Sequence, residues 1–334
     1  MRRPVLSALV LASALLTHCR HGPEVETRPA AEPGPDVVEP LGLPVPRGQR
    51  LDQLRVSEDG RLLFTRWALE EDAFDYRVVD LTSGEPVWDW WGSLQNGLWT
   101  LVLSPEGGAG FVFLPSGPEA AFLVFRVSAA PIVMSEVEFT GGTWARGGGW
   151  FGGSSGAYNA DGSRRGKAVP DWRAVQDALF LPGHEPDTVR YMHAGHVWEW
   201  DGRTAPRVVG DWRCAPRVEA HRLTPSEPVR FSPEGRYIAW RLKDSNALTV
   251  CDGESGEEFA LAPGPAHAAW TDAHHVWWLE AGAILGMDVR TRERLPRRVL
   301  PSGAKAVALA ASTHPPALFA GSEQGLLYRL PLGR

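Results

Sequence analysis

Short apolar runs recur along the chain from residue 50 onward, and turn residues separate them. The clearest unit opens with the turn SPEG at residues 232–235, continues with the run RYIAWRL, and ends with LTVCDGESGE. A looser copy starts with SEDG at residues 57–60 and continues through RLLFTRW to YRVVDLTSGE. Runs such as LLF and VWW are apolar at every position, which predicts strands that are buried on both faces.

The turn residues of this unit have a structural explanation. In SPEG the glycine can adopt the left-handed conformation that a tight reversal requires. In the D-x-x-x-G turns that begin at Asp80 and Asp252, the aspartate can accept hydrogen bonds from nearby backbone N–H groups. We therefore interpret both turns as hairpin connections and not as catalytic motifs.

Seven such units fit between residues 50 and 334, about 40 residues each, which is the period of a four-stranded propeller blade. The weaker copies begin at Ser104, Leu181, Thr271 and Ala311, and the poorest spans residues 147–169. With SPEGRYIAW and DGESGEE as the best match, the chain resembles the WD-repeat and TolB-type propeller families. The resemblance implies an all-β, seven-bladed β-propeller, with six or eight blades as alternatives.

Residues 78–88, VVDLTSGEPVW, have the spacing of the tryptophan-docking motif of quinoprotein propellers, with Asp80, Gly84 and Trp88 in place. In that family the motif recurs and locks each blade to the next. Here the Asp/Gly pair recurs only at Asp252 and Gly256, without the tryptophan. We interpret it as one blade junction and expect no cofactor.

The last unit, which ends in GLLYRLPLGR, has residues for a third strand but none for a fourth. A circular propeller can close by borrowing the missing strand from the other terminus, which removes an exposed edge. We therefore expect an N-terminal strand within residues 43–54 to pair beside residues 325–330.

The amino terminus has the features of an export signal. Arg2 and Arg3 precede an apolar run over residues 4–16, which is too short to span a bilayer. The following LTHC resembles the lipobox of bacterial lipoproteins and implies lipidation of Cys19. The alternative is an ordinary secretory signal in which this cysteine is incidental. The predicted organisation is a signal peptide at 1–19, a proline-rich disordered tether at 20–42 and a propeller domain at 43–334.

Charge and cysteine content narrow the function further. A net charge of -6 argues against a nucleic-acid-binding surface. With Cys19 lipidated, Cys214 and Cys251 remain as a pair in an oxidising compartment, and they form either a disulfide or two buried free thiols. His193 and His196 have no third ligand nearby in the sequence, so we expect no metal site.

These observations favour a non-catalytic scaffold of the bacterial cell envelope: a monomer, anchored in the membrane by lipid, that binds another envelope protein. The candidate binding residues are Trp90, Trp91 and Trp150. The alternative is a propeller enzyme, a lyase or hydrolase, with its active site at the central channel. A channel mouth with three or more convergent carboxylates, histidines or arginines favours the enzyme, and a mouth lined by small and aliphatic residues favours the scaffold.

Overall fold

The computed structural model describes most of the chain after residue 37. The described residues are 38, 40–43, 49–69, 73–93, 100–114, 121–127, 129–135, 142–152, 156–159, 161, 163–166, 179–214, 230–241, 247–263 and 268–332. Within them every regular element is a β-strand, apart from a 3-10 turn at Pro301–Gly303. The predicted all-β class is confirmed. The predicted signal peptide, with Cys19, lies outside the described residues, as do residues 20–37 of the tether.

The strands form seven small antiparallel sheets in chain order. The first four, sheets 1 to 4, take up residues 50–211. Sheet 1 is β1 (Arg50–Val56), β2 (Leu62–Ala68), β3 (Ala73–Asp80) and β4 (Pro86–Ser93). Sheet 2 is β5 (Thr100–Leu103), β6 (Ala109–Leu114), β7 (Ala121–Arg126) and β8 (Ala129–Ser135). Sheet 3 is β9 (Gly142–Trp144), β10 (Trp150–Gly152) and β11 (Gly156–Tyr158), and sheet 4 is β12 (Leu179–Pro182), β13 (Val189–His193), β14 (His196–Trp200) and β15 (Arg207–Asp211).

Sheets 5 to 7 follow the same meander, each strand pairing with the next. Sheet 5 is β16 (Arg230–Phe231), β17 (Tyr237–Arg241), β18 (Leu248–Asp252) and β19 (Glu258–Ala262). Sheet 6 is β20 (Ala268–Trp270), β21 (His275–Glu280), β22 (Ala283–Asp288) and β23 (Glu293–Arg298). Sheet 7 has the three strands β24 (Ala306–Thr313), β25 (Pro316–Ser322) and β26 (Leu327–Pro331).

The two kinds of turn identified in the sequence have the predicted geometry. Gly60 and Gly235, at the turns between the first and second strands, have φ of +74° and +78°. The Asp80 carboxylate accepts a hydrogen bond from the Thr82 N–H at 2.9 Å, between the third and fourth strands of sheet 1. Asp252 does the same in sheet 5. Local chemistry therefore determines the hairpin connections.

Each sheet packs against the next one in the chain, and the last also packs against the first. Buried apolar clusters lie between sheets 1 and 2, 3 and 4, 4 and 5, 5 and 6, 6 and 7, and 7 and 1. Between sheets 2 and 3 the Trp144 indole N–H donates to the Val102 carbonyl at 3.0 Å. The apolar character of both faces of the strands is explained by this packing, because each sheet has a neighbour on each side.

A short N-terminal segment adds to the edge of sheet 7. Pro40 forms a bridge with Tyr328, and the Leu41 N–H donates to the Leu327 carbonyl at 2.7 Å. Pairing of the N-terminal region with this edge was predicted, but the predicted range of 43–54 is wrong. Residues 50–56 pair with β2 instead, because Leu51 and Leu54 are buried between sheets 1 and 7. The folded part thus overlaps the predicted tether at residues 40–42.

Candidate functional site

The first strands of four sheets line a half-open cavity of 230 Å³, which we call the inner cavity. It is bounded by β1, β24, β20 and β16, which lie side by side. Its walls are mainly apolar, with three ionisable side chains: Arg55, Glu58 and Arg230. The other lining residues are Leu54, Val56, Phe231, Pro233, Ala268, Ala269, Trp270, Leu309, Ala310, Ala311 and Thr313.

Arg55 and Arg230 occupy the same position of the repeated unit, two residues before the turn serine. The Ser57 hydroxyl accepts a hydrogen bond from the Leu62 N–H at 2.9 Å, and the Ser232 hydroxyl accepts one from the Tyr237 N–H at 3.1 Å. These bonds hold the ends of β1 and β16 in matching geometry. The two arginines therefore reach the inner cavity from equivalent sites on sheets 1 and 5.

The guanidinium groups of Arg55 and Arg230 lie in an unfavourable environment. Burial, with the positive charges of Arg230 and Arg66, lowers the pKa of Arg55 to about 9. Burial lowers the pKa of Arg230 to about 10. Both groups still carry their charge at pH 7, so the inner cavity contains two cationic side chains that are poorly solvated.

Next to the inner cavity is a second pocket of 410 Å³, which we call the mouth, and Pro233 and Thr313 line both. The mouth is formed largely by turns that follow the first strands of sheets 3 to 7. It contains the ionisable residues Arg146, His184, Arg190, Glu234, Asp272 and His314. Several of these groups are paired, as in the 3.0 Å ion pair between Arg146 and Glu58.

The turn of sheet 2 brings a further carboxylate to this region. Glu106 lies in the turn whose Pro105 carbonyl accepts a hydrogen bond from the Asp59 N–H at 3.1 Å. Partial burial and the nearby negative charges of Glu58 and Asp59 raise the pKa of Glu106, against the opposing effect of Arg146. A carboxyl group with a raised pKa beside a cleft can act as a proton donor.

The polar mouth has the composition that the sequence reasoning associated with an enzyme. More than three arginines, histidines and carboxylates converge there, so the mouth is not lined by small and aliphatic side chains. No group of three or more histidines, cysteines and carboxylates within the described ranges could hold a metal ion. Nor does any helix of those ranges have the length and apolar character needed to cross a membrane.

The tryptophans singled out from the sequence have different surroundings. Trp91 is 68% exposed on β4, the edge strand of sheet 1. Trp90 is partly buried and packs against Tyr76, with the ring centroids 5.2 Å apart. Trp150 begins β10 and pairs with Trp144 and Tyr158 in register. The structure does not bring the three together, because they lie on two different sheets.

Cys214 and Cys251 are joined by a disulfide in the structure, with their Cα atoms 6.2 Å apart. Cys214 follows sheet 4 and Cys251 lies in β18 of sheet 5, so the bond links neighbouring sheets. Both side chains are buried in the apolar cluster between those sheets. The Arg213 N–H donates to the Gly253 carbonyl at 2.8 Å beside the bond.

Arg55 and Arg230 were not predicted as functional residues from the sequence, although they share one position of the repeat. Aligning the units on the turn places Arg55 beside Arg230, in LRVSEDG and VRFSPEG. The unit at Ser104 has Val102 at that position, and the unit at Thr271 has Ala269. Sheet 3 has Thr143 at that position, so a charged residue there occurs in two units only among those compared.

No protein-family model matches the chain, and no curated protein is significantly similar to it. The function must therefore be inferred from the described residues themselves.

Proposed function

We propose that the seven sheets are the blades of a seven-bladed β-propeller. The proposal is supported by the cyclic order of the apolar clusters, in which sheet 7 packs against both sheet 6 and sheet 1. At the junction of sheets 7 and 1, the N–H groups of Thr313 and His314 donate to the Glu58 carbonyl at 2.8 and 2.9 Å. Residues 40–41 then serve as the closing strand beside β26.

Deletion tests this closure. Removing residues 38–43 exposes the edge of β26 and removes the packing of Leu41 and Leu43 on the cluster between sheets 7 and 1. We expect aggregation or a large fall in melting temperature. A matched deletion of residues 24–29, in the predicted tether, should leave the melting temperature unchanged. Equal melting of the two deletion variants would exclude closure by this segment.

We propose that the protein is an exported, lipid-anchored scaffold without catalytic activity. It binds another envelope protein at the mouth. The observation that carries the binding role is that charged groups at and beside the mouth pair with one another: Arg146 with Glu58, Arg190 with Glu199, and Asp272 with His275. Paired charges form a fixed polar surface of the kind found at the rim of protein interfaces, and for this reason we place the scaffold before the enzyme that the polar mouth also favours. The Cys214–Cys251 disulfide supports export, since such bonds persist in oxidising compartments.

Site-specific photo-crosslinking in a bacterial host tests the binding role. A photo-reactive residue at position 234 or 184, in the mouth, should give one adduct of defined mass in intact cells. The same residue at position 297, on the exposed strand β23, serves as the control and should give none. The scaffold proposal fails if the mouth positions give no adduct, or if the control position gives the same one.

The lipid anchor has its own test. Cys19→Ser should move the protein from the membrane fraction to the soluble envelope fraction, because the acylated sulfur is lost. Mass spectrometry of the wild type should show the added acyl groups. Unchanged fractionation, or an unmodified wild-type mass, would exclude lipidation and leave the ordinary secretory signal.

A second candidate function is an enzyme that acts at the mouth, and the convergence of Arg146, His184, Asp272 and His314 there favours it, together with the raised pKa of Glu106 in a neighbouring turn. In this case Glu106 is the proton donor and Arg146 stabilises negative charge on the substrate. Wild-type protein incubated with an envelope extract should consume one component, and Glu106→Gln should not. An extract left unchanged by the wild type would exclude this candidate and leave the scaffold proposal untouched.

A further inference from the structure

The outermost strand of sheet 6 and the residues around it carry a concentration of positive charge, which we call the basic edge (residues 290–299). Its strand is β23, the last of the sheet, which pairs with β22. Residues 290–298 contain five arginines and a single acidic residue, a net charge of +4 in a chain whose overall net charge is -6. All five arginines are exposed: Arg290, Arg292, Arg294, Arg297 and Arg298.

The outer strands of the other four-stranded sheets do not have this charge. Strand β4 contains one aspartate, β15 one arginine and one aspartate, β19 one glutamate, and β8 no ionisable residue. Charged residues at a sheet edge discourage pairing with other chains, but that role does not require charges of one sign. The excess of arginine on β23 therefore indicates a negatively charged partner.

Part of this positive charge is not neutralised by the fold. Two arginines of the basic edge pair with carboxylates, and a third packs over a tryptophan ring. Arg297 and Arg298, by contrast, form no ion pair with any residue in the described part of the chain. The next residue, Val299, is 58% exposed. The basic edge thus combines unpaired cations with exposed apolar surface.

The arginines project from both faces of β23. Arg294 pairs in register with Met287, and Arg298 pairs with Ile284. Met287 and Ile284 are three residues apart on β22 and lie on opposite faces of the sheet, so Arg294 and Arg298 do as well. A ligand on one face of the sheet would reach only one of these arginines. A broad surface that meets the sheet edge-on can contact both.

We propose that the basic edge docks on a membrane surface that contains anionic phospholipids. Guanidinium groups bind the head-group phosphates through paired hydrogen bonds, and the exposed Val299 side chain contacts the interface. The rest of the chain is acidic overall, so an anionic bilayer attracts the basic edge, repels the remainder and orients the domain. This contact is separate from the mouth and does not depend on lipidation of Cys19.

Sedimentation with lipid vesicles tests the docking. The purified full-length chain is mixed with vesicles of phosphatidylcholine alone, or of phosphatidylcholine and phosphatidylglycerol in equal parts. The wild type should bind the anionic vesicles more tightly than the neutral ones. Added salt should weaken that preference, because it screens the attraction.

Variants of matched charge locate the contact. Each basic residue near an anionic membrane strengthens binding about fivefold, so replacing both Arg297 and Arg298 by glutamine should weaken binding to anionic vesicles about 25-fold. Lysine at both positions should retain most of the affinity, since it keeps the charge. The control replaces Arg203 and Arg213, exposed residues on either side of β15, by glutamine and should bind like the wild type.

Equal binding of the wild type to both kinds of vesicle would overturn the proposal, whether or not the variants fold. So would an equal loss in the control variant, or full binding after Arg297 and Arg298 are replaced by glutamine. A protein adduct from a photo-reactive residue at position 297 in intact cells would also overturn it, because a protein and not lipid would then cover the basic edge.

Discussion

The structure places arginines in two contrasting settings, in sheet 4 and in the inner cavity. In sheet 4, Glu199 is 5% exposed and accepts hydrogen bonds from Arg207 at 2.6 Å and Arg190 at 3.2 Å. In the inner cavity, Arg55 and Arg230 share a wall with one carboxylate, which is paired elsewhere. The first arrangement neutralises buried charge within the fold. In the second, like charges lie near each other, and burial disfavours the charged form of both arginines.

The pKa values follow this contrast. Burial raises the pKa of Glu199, but the hydrogen bonds from Arg207 and Arg190 outweigh burial and hold the pKa below its ordinary range. In the cavity no such partner outweighs burial, and the pKa of Arg230 falls. A lowered carboxyl pKa means that the charged form stabilises the fold, whereas a lowered arginine pKa means that the charged form destabilises it. The difference separates a charge cluster that stabilises the fold from a pair of arginines whose charged form burial disfavours.

The largest effect is expected from removing the carboxylate of the structural cluster. Glu199→Gln leaves Arg190 without its buried partner and should lower the free energy of unfolding by about 2 kcal/mol. That is less than for a fully buried pair, because Arg207 is largely exposed. Denaturant unfolding provides the measurement. The control is Glu254→Gln, whose surface pair with Arg236 should contribute well under 1 kcal/mol. If both variants lose the same free energy of unfolding, the buried cluster of sheet 4 contributes no more than a surface ion pair.

The same cluster predicts a dependence on pH. Because the folded-state pKa of Glu199 is depressed, its contribution is fully present above the unfolded value of about 4.3 and is lost as pH falls through the folded value. The difference in unfolding free energy between the wild type and Glu199→Gln should thus be constant near neutrality and shrink in acid. A difference that grows in acid would contradict the assignment.

Substitution of the cavity residue Arg230 should change the free energy of unfolding in the opposite direction, towards higher stability. Arg230→Met keeps an apolar stem of similar length and removes one of two repelling charges, so it should raise the free energy of unfolding by about 1 kcal/mol in anion-free buffer. Denaturant unfolding of both proteins provides the measurement. Arg190→Met is the matched control and should be destabilising. A loss of stability in both variants would make Arg230 a structural residue.

The smallest effect is expected from removing the half-exposed arginine of an ion pair that recurs in the repeat. Arg61 pairs with Asp80 at 2.8 Å in sheet 1, and Arg236 pairs with Asp252 at 2.9 Å in sheet 5. The arginine side chains are about 40% exposed, whereas the side chains of Asp80 and Asp252 are 6% and 14% exposed, so solvent screens the pairs only from the arginine side. Arg236→Gln should cost about 0.5 kcal/mol or less. A loss as large as that of Glu199→Gln would remove the distinction between buried and surface partners.

Much of the fold could be predicted from the sequence because each hairpin is formed by residues that are close together in the chain. The turn glycines and the capping aspartates act within a few residues, so the strand pairs and the third strand of sheet 7 were predicted. The prediction placed the N-terminal pairing at residues 43–54, but Pro40 and Leu41 make it. These two residues contribute one bridge and one hydrogen bond, and so short a contact leaves no strand pattern in the sequence. Residues 50–56, which do have a strand pattern, joined sheet 1 instead.

The candidate site was less accessible, because its residues are brought together over long distances. Glu106 lies beside Glu58 and Arg146 only because three sheets place their turns together. Trp90 and Trp91 are adjacent in sequence, yet one packs on Tyr76 and the other faces solvent, since successive residues of a strand point to opposite faces. Exposure could therefore not be assigned from residue type.

By itself the sequence determined the repeated unit: the alternation of strands and turns, the residues of the two recurring turns, and that two units carry arginine two residues before the turn. These features depend on backbone conformation and on contacts within about 40 residues. Only the tertiary structure decided that sheet 7 packs on sheet 1, that Cys214 meets Cys251, and that Arg55 and Arg230 share one cavity. The physical reason is that burial and charge depend on all groups within a few ångströms, and for these residues those groups lie on other sheets.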